Sequence, residues 1–202
     1  MRLICLDLEG VLIPEIWIRF SEAVGIPELR RTTRDEPDYD KLMAFRLDLL
    51  KKNRLTLGDI QKVIGGMEPL EGAAAFTKAL RERAQLIILS DTYEEFAKPL
   101  MAKLGYPTLF CNSLTVGEDG IITAYHLRQR DGKKYAVRAL KSLNMTVFAA
   151  GDSFNDLAMI READGGCLFR APEAIREHYS DIPCVDTYDE FLAKIDAFLA
   201  GS

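Results

Sequence analysis

Short runs of apolar residues alternate along the chain with longer segments in which apolar residues recur every three or four positions. A short apolar run between polar positions is typical of a strand buried on both faces of a parallel sheet. The sequence predicts such strands at 3–6, 85–89, 146–151 and 166–169, with a fifth candidate at 182–185. Because helical segments separate the strands, we expect a parallel sheet joined by right-handed crossover connections.

Helical periodicity is clearest near the end of the chain, where a continuous apolar stripe marks a helix at 187–199. Further helices are predicted at 71–83, 93–104, 134–143 and 154–164. Gly105 suits the C-cap of the helix at 93–104. Pro99 lies inside the same segment and predicts a kink or a break there.

Two segments interrupt the alternation of strands and helices. Residues 108–128 have the pattern of a β-hairpin with a GEDG turn. Residues 15–68 contain no convincing strand but have helical patterns at 16–24 and 40–52. Thr56, with Asp59 three residues later, predicts the start of a further helix there.

The predicted fold class is therefore α/β, a Rossmann-like parallel sheet with helices on both faces and a small helical cap inserted after the first strand. We place the core at 1–14 and 69–202 and the cap at 15–68, with the chain returning to the core near Pro69. A chain of 202 residues is long enough for one domain with an inserted lobe.

Composition narrows the class of protein without identifying it. The chain is 48% hydrophobic and 28% charged, with a formal net charge of −5, which argues mildly against a nucleic-acid partner. No apolar run approaches the length of a membrane span. The four cysteines form no CxxC pair, so we expect buried thiols in a reducing compartment and a cytoplasmic protein.

Polar side chains follow three of the predicted strands, at the points where those strands end. Ligands bind outside the carboxyl ends of the strands in open α/β sheets. The first strand is followed by Asp7 and Glu9. The residues after the next two strands, together with the lysine pair before the second of them, are Ser90, Asp91, Lys133, Lys134, Asp152, Asn155 and Asp156.

Phosphoryl transfer is the chemistry that uses such a set. Neighbouring carboxylates repel one another unless a cation joins them, and Mg²⁺ binds one or two carboxylates together with phosphate and water. A hydroxyl such as Ser90 and a lysine would bind the phosphoryl oxygens. A carboxylate can itself attack phosphorus, and Glu9 could then move the proton.

Each of these residues also has an ordinary structural explanation. Acids and serines after strands are commonly helix N-caps, and a lysine pair is commonly a solvated face. Only their coincidence at one edge of one sheet favours a site. A signalling receiver domain gathers a similar set, but here the acids are spaced Asp-x-Glu on the first strand and a helical insertion follows.

Four features resemble, in order, the four motifs of the haloacid dehalogenase superfamily: the stretches DLEGV and LSDT, the residue Lys133, and the stretch GDSFND. The helical segment after the first motif resembles the cap of its phosphoserine phosphatase branch. The stretches LEGVLIPEIWI and TTRDEPDYDKLMAFRL are similar to a group of that branch that also transfers phosphate from phosphoserine to homoserine. Glu9 stands where the superfamily usually has an aspartate, and this group resembles the present sequence in having a glutamate there.

The resemblance implies a haloacid dehalogenase-like fold, Mg²⁺ as cofactor, and O-phosphoserine and homoserine as small-molecule substrates. It implies no nucleic-acid or membrane partner and leaves the oligomeric state open. Asp7 would be the nucleophile and a metal ligand. Glu9 would be the general acid and base, with its backbone carbonyl on the metal. Asp152 would be the remaining protein ligand, supported by Asp156.

The resemblance also implies a set of substrate-binding residues. Ser90 and Lys133 would bind the phosphoryl group, Asn155 the phosphate or a nearby group, and Asp91 would offer a backbone contact. We prefer Lys133 to Lys134 because apolar residues follow it at the spacing of the next helix.

In the cap, Glu15 and Arg46 match the positions that bind the amino and carboxylate groups of serine. The same mechanism would serve a sugar phosphate or a nucleotide. A zwitterionic substrate, however, needs one group of each charge, and this pair supplies both.

Overall fold

The computed structural model describes residues 1–33 and 35–201. A seven-stranded sheet lies at its centre in the order β4-β3-β2-β1-β5-β6-β7. All neighbouring strands are parallel except β3 and β4, which form the predicted antiparallel hairpin. The strands are β1 (Arg2–Leu6), β2 (Gln85–Tyr93), β3 (Thr108–Val116), β4 (Ile122–His126), β5 (Thr146–Gly151), β6 (Gly165–Phe169) and β7 (Cys184–Val185).

The central strand β1 carries the first acidic motif into the middle of the carboxyl edge. Its residues Leu3 to Leu6 are buried, because helices cover both faces of the sheet. β1 pairs with β2 on one side and with β5 on the other. From β1 the chain adds β2 and β3 on one side, and it later adds β5, β6 and β7 on the other. In open α/β folds, ligands bind at the point where the strand order reverses in this way.

Helices connect the strands on both faces. The α-helices are α1 (Ile16–Val24), α2 (Tyr39–Lys52), α3 (Leu57–Gly65), α4 (Ala73–Arg81), α5 (Glu94–Met101), α6 (Gly132–Ser142), α7 (Leu157–Glu162), α8 (Glu173–His178) and α9 (Tyr188–Ala200). Within the described ranges, short 3-10 helices lie at Pro27–Arg30, Ala102–Leu104 and Phe154–Asp156.

Side-chain caps define several helix starts. Thr56 accepts a hydrogen bond from the backbone N–H of Asp59, and the Asp59 carboxylate accepts from Thr56 in return, which confirms the predicted start of α3. Thr187 and Glu190 form the same arrangement at the start of α9. These caps satisfy backbone donors that the first helical turn cannot pair internally.

The structure corrects some sequence-based boundaries. The helix containing Pro99 does not break there: α5 runs through it to Met101 and continues as a 3-10 helix, with Gly105 as the predicted C-cap in the left-handed conformation. β2 extends past residue 89 to Tyr93, beyond a shift in its register with β3. The candidate strand at 182–185 retains only two residues as β7, and helix α8 was not predicted.

Helices α1 to α3 follow β1 and precede β2 along the chain, and they pack against the rest of the molecule. The ring of Trp17 on α1 contacts the ring of Phe96 on α5 edge to face, with centroids 5.6 Å apart. The two connections between these helices and the sheet run side by side, since the Leu70 N–H donates to the Leu12 carbonyl at 2.9 Å. The domain boundaries at 14/15 and 68/69 stay a prediction.

All four cysteines are free, and Cys5, Cys111 and Cys167 are buried as expected, whereas Cys184 is half-buried. Burial raises the pKa of the Cys5 thiol to about 12, so this thiol stays protonated and packs as a small apolar side chain. Among the described helices, none combines the length and the apolar character that crossing a membrane requires.

Candidate active site

Asp7 follows β1 and is held in one orientation by the backbone. Its Oδ1 accepts a hydrogen bond from the Leu8 N–H at 2.7 Å, and its own N–H donates to the Ala150 carbonyl on β5 at 3.0 Å. The side chain is buried. Burial raises the pKa of Asp7 well above its usual range, Asp156 and Asp152 add to the rise, and Lys133 opposes it.

Gly10 allows the turn after Asp7 to lie directly against Asp152. Its φ of 76° is in the left-handed region, and its N–H donates to the Ile13 carbonyl at 2.8 Å. A Cβ at this position would lie 2.5 Å from Cγ of Asp152, well inside van der Waals contact. The close approach therefore requires glycine.

Gly10→Ala is expected to reduce catalytic activity by at least about tenfold, because the new methyl group must displace the turn or the Asp152 carboxylate. Gly25→Ala is the matched control. Gly25 also has a left-handed φ, of 69°, but a Cβ there meets no atom within 4 Å. Steady-state rates and urea unfolding of both variants separate backbone strain from the clash. Equal effects of the two substitutions on the rate would contradict this prediction.

Lys133 lies among three carboxylates at the start of α6. Its Nζ is 2.9 Å from Asp7 Oδ1, 2.7 Å from Asp156 Oδ1 and 3.7 Å from Asp91 Oδ2, and the side chain is only 5% exposed. Burial alone would lower the pKa of Lys133, but the surrounding carboxylates, led by Asp156, raise it well above its usual range. Lys134 is half-buried and instead lies near Glu162.

Asp156 is fully buried, and both of its carboxylate oxygens accept hydrogen bonds from other groups of the protein. Its Oδ2 accepts from the backbone N–H groups of Asp152 and Ser153, both at 3.1 Å. Its Oδ1 accepts from Lys133. A Cβ on Gly151 would overlap the Asp156 carboxyl group at 2.1 Å, so a glycine is required here as well. Asp156 thereby orients both the lysine and the turn that carries Asp152.

Three of these acids form a group that could hold a metal ion. Oxygen atoms of Asp7, Asp152 and Asp156 lie within 4.8 Å of one another. One lysine contacts two members of the group, so negative charge remains in excess. Oxygen-only ligands with excess negative charge suit a hard divalent cation such as Mg²⁺. Asp156 already accepts hydrogen bonds from Lys133 and from the backbone N–H groups of Asp152 and Ser153, so within this group it positions its neighbours.

Ser90 and Asp91 approach this group from the neighbouring strand. Ser90 is buried, and its Oγ accepts from the Thr92 N–H at 3.2 Å. Asp91 is exposed, and its Oδ2 accepts from Asn155 Nδ2 at 2.9 Å. A small cavity of about 10 Å³ lies between Ser90, Lys133 and the hairpin strand β3.

Glu9 and Glu15 face each other at the entrance to the cap. Glu9 Oε2 accepts from the Ile16 N–H at 2.8 Å, which ties the acid to the start of α1. Burial, followed by the neighbouring Glu15 carboxylate, raises the pKa of Glu9 to about 8, although Arg46 opposes the rise. Glu9 is therefore protonated near neutral pH, as a proton donor must be.

Arg46 is buried within the cap, contrary to the exposure usual for an arginine. Its guanidinium lies over the ring of Trp17, 4.4 Å from the centroid, and Nη2 donates to the Arg31 carbonyl at 2.7 Å. Nε has no hydrogen-bond partner among the described residues. A buried donor without a partner is costly, which favours a ligand at this position.

Sequence reasoning missed two residues that contact the predicted site. Asn112 on β3 donates to the Asp91 carbonyl at 3.0 Å and accepts from the Arg128 N–H. Tyr39, the first residue of α2, has its hydroxyl 2.7 Å from that of Tyr93 on β2. The contacts of Asn112 with Asp91 and of Tyr39 with Tyr93 join residues 21 and 54 positions apart, so no local pattern marks them.

The chain matches the haloacid dehalogenase-like hydrolase family over residues 1–164, and it belongs to that family. The family resemblance of the four motifs is thereby confirmed, and the receiver-domain alternative is set aside. The phosphoserine phosphatase ThrH of Pseudomonas aeruginosa is 53% identical over 190 residues, which cover 94% of this chain and 93% of that protein. A phosphoserine phosphatase of Pseudomonas syringae pv. tomato is also 53% identical, over 94% of this chain and 80% of its own.

Solved structures support the predicted fold class. A substrate-bound phosphoserine phosphatase complex aligns with a TM-score of 0.77 at 21% identity, covering 95% of this chain and 97% of that one. A phospho-aspartyl intermediate analogue of phosphoserine phosphatase aligns with a TM-score of 0.75 at 20% identity, over 92% and 93%. At this level of identity the likeness establishes the α/β fold.

Proposed function

We propose that this protein is a Mg²⁺-dependent phosphoserine phosphatase that forms an aspartyl phosphate and passes the phosphoryl group to water or to homoserine. The observation that carries the proposal is the position of Asp7. This buried carboxylate lies 2.9 Å from Lys133 and forms an acidic group with Asp152 and Asp156. Similarity to two phosphoserine phosphatases at 53% identity supports the substrate assignment.

Asp7, Asp152 and the backbone carbonyl of Glu9 are the groups that would hold the metal. Two carboxylates beside phosphate and water match the preference of Mg²⁺. When bound, the ion would neutralise charge on the carboxylates and on the phosphoryl oxygens. Asp156 would support this arrangement by fixing the turn at Asp152.

In the first half-reaction, a carboxylate oxygen of Asp7 attacks phosphorus and the bond from phosphorus to the serine oxygen breaks. Ser90 and the ammonium of Lys133 bind the phosphoryl oxygens, with Asn155 alongside. Glu9 gives its proton to the departing serine oxygen, so serine leaves as a neutral alcohol. The products are the Asp7 acyl phosphate and an ionised Glu9.

In the second half-reaction, the ionised Glu9 takes a proton from the incoming hydroxyl while that oxygen attacks phosphorus. The acyl phosphate bond breaks and the carboxylate of Asp7 is regenerated. With water the product is inorganic phosphate, and with homoserine it is phosphohomoserine. Glu9 ends the cycle protonated, as it began.

Glu15 and Arg46 would recognise the amino-acid part of the substrate. The carboxylate of Glu15 suits an ammonium group, and the unpartnered Nε of Arg46 suits a carboxylate. The backbone of Asp91, next to Ser90, would add a contact from the core. Because the pair carries opposite charges, a zwitterion satisfies both groups at once.

The pH profile should report the protonation of Glu9. Activity on phosphoserine is expected to fall as pH rises above about 8, because the proton donor is lost when pH exceeds the raised pKa of Glu9. Activity on an aryl phosphate, whose leaving group needs no proton, should fall less over the same pH range. Glu15→Gln removes a carboxylate that raises the pKa of Glu9, so this variant's kcat for phosphoserine should begin to fall at lower pH. An unchanged profile in Glu15→Gln would rule out this coupling.

A product assay tests the proposal as a whole. With Mg²⁺ and phosphoserine, we expect release of phosphate and serine, and with added homoserine a fraction of the label from ³²P-phosphoserine should appear as phosphohomoserine. Phosphoserine should be hydrolysed faster than a sugar phosphate, a nucleotide or an aryl phosphate. Equal or slower turnover of phosphoserine would overturn the substrate assignment. Absence of phosphohomoserine would overturn the transfer activity alone.

A further inference from the structure

A pair of tyrosine hydroxyls lies where the cap meets the core, beside the groups that recognise the substrate. Tyr39 begins α2 in the cap, and Tyr93 ends β2 in the core. Their hydroxyl oxygens are 2.7 Å apart, the distance of a good O–H to O hydrogen bond. The bond therefore joins two parts of the fold that are distant in sequence.

The direction of this hydrogen bond follows from burial. Tyr93 is 1% exposed, and the hydroxyl of Tyr39 is its hydrogen-bond partner. A buried hydroxyl must donate its proton to a partner or bear the cost of leaving it unpaired. Tyr93 therefore donates and Tyr39 accepts, which leaves the proton of Tyr39 available for another acceptor.

The protein itself offers that proton a poor acceptor. The Asp91 carbonyl is 3.5 Å from the Tyr39 oxygen, well beyond the usual distance for a hydroxyl donor, and it already accepts from Asn112 at 3.0 Å. Burial raises the pKa of Tyr39 to about 12, so the phenol keeps its proton at physiological pH. Tyr39 thus holds a donor that is oriented but poorly satisfied.

A second unsatisfied donor lies on the same face of α2. Arg46 follows Tyr39 by seven residues, about two helical turns, so both side chains project in the same direction. Nε of Arg46 is buried and has no partner among the described residues. Tyr39 and Arg46 are close enough that each shifts the pKa of the other. Two convergent donors, one of them cationic, suit a single carboxylate.

We propose that Tyr39 is a specificity-determining residue, whose hydroxyl, oriented by Tyr93, donates a hydrogen bond to the carboxylate of the amino-acid substrate beside Arg46. This role rests on the proposed function and adds to it a second donor to the carboxylate. The ring of Tyr39 is held edge to face against Tyr125 at 5.8 Å. The donor is thereby placed before the substrate arrives, which lowers the entropy cost of binding.

The test compares O-phosphoserine with O-phosphoethanolamine, which lacks only the carboxylate. Tyr39→Phe should raise KM for phosphoserine about tenfold, with little change in kcat, because a hydrogen bond to a charged group is lost. It should leave kcat/KM for phosphoethanolamine unchanged. Tyr39→Phe leaves the buried hydroxyl of Tyr93 without its hydrogen-bond partner, so the double variant Tyr39→Phe/Tyr93→Phe is included. It should recover stability but retain the loss of selectivity.

Tyr125→Phe is the matched control. It removes a hydroxyl from the ring that packs against Tyr39, but this hydroxyl donates to Asp40 on the surface. It should leave the ratio of the two kcat/KM values unchanged. If Tyr39→Phe and the double variant affect both substrates equally, or neither, Tyr39 only packs the cap and the proposal is wrong. If the wild type itself does not prefer phosphoserine to phosphoethanolamine, carboxylate recognition fails and the proposed function fails with it.

Discussion

Asp7→Asn is expected to lower turnover of phosphoserine by on the order of 10⁴-fold or more, within the range seen when enzymes lose a covalent nucleophile. An amide oxygen is a poor nucleophile and cannot give a stable acyl phosphate. The side chain has nearly the same shape, and the backbone N–H of Leu8 can still donate to an amide oxygen at this position. The fold should therefore be retained.

Two measurements check the loss at Asp7. Steady-state phosphate release gives the rate, and rapid quenching with ³²P-phosphoserine detects acid-stable, alkali-labile protein phosphate in the wild type only. Asp181→Asn, which breaks an exposed ion pair with Arg161, is the matched control and should keep full activity. A phosphorylated Asp7→Asn protein, or one with more than a few per cent of wild-type turnover, would place the nucleophile elsewhere.

Lys133→Met is expected to reduce both catalysis and stability. The substitution removes the cation between Asp7 and Asp156, and breaking a buried ion pair from one side costs about 3–5 kcal/mol. Loss of a fixed positive charge at the phosphoryl oxygens should reduce kcat by about 10²- to 10³-fold. Lys134→Met, one residue away and half-buried, should leave both nearly unchanged.

The pH dependence of this stability loss has a definite sign. Without Lys133, the charged form of Asp7 loses the cation that opposes the rise of its pKa, so the pKa of Asp7 rises further and the folded state takes up a proton more readily than the unfolded chain. The stability loss should therefore be largest at neutral and alkaline pH and should shrink as pH falls and Asp7 is protonated. Urea unfolding of the metal-free proteins at pH 5 and pH 8 measures this. A larger deficit at pH 5 would contradict the assignment.

Local pattern was sufficient to predict most of the fold. The apolar runs of β1, β2 and β5 are buried on both faces of the sheet, and such runs have few alternative structures. The boundaries that differed depend on distant contacts. β2 continues to Tyr93, where it pairs with Asn112 after a register shift, and no residue within β2 indicates that pairing. Helix α5 runs through Pro99 even though a proline in a helix interior removes a backbone donor.

The site was predictable to the extent that strand ends are. Once three strands are parallel and adjacent, the residues after them must meet at one edge, so Asp7, Ser90 and Asp152 could be grouped before any coordinates were known. Whether Lys133 or Lys134 joins them depends on the rotation of α6, which the apolar spacing of that helix already favoured. The contact between Tyr39 and Tyr93 had no such signal.

Periodicity and motif spacing are local properties of the chain, and they were enough to predict most strands and helices along it, the insertion after β1 and the identity of the charged groups. The order of the strands in the sheet and the environment of each group depend on the folded protein. The pKa of Glu9 is raised by burial and by Glu15, and the guanidinium of Arg46 lies over the ring of Trp17 within the cap, where its Nε has no hydrogen-bond partner among the described residues. Desolvation and charge proximity depend on which distant segments pack together, and no local pattern specifies them.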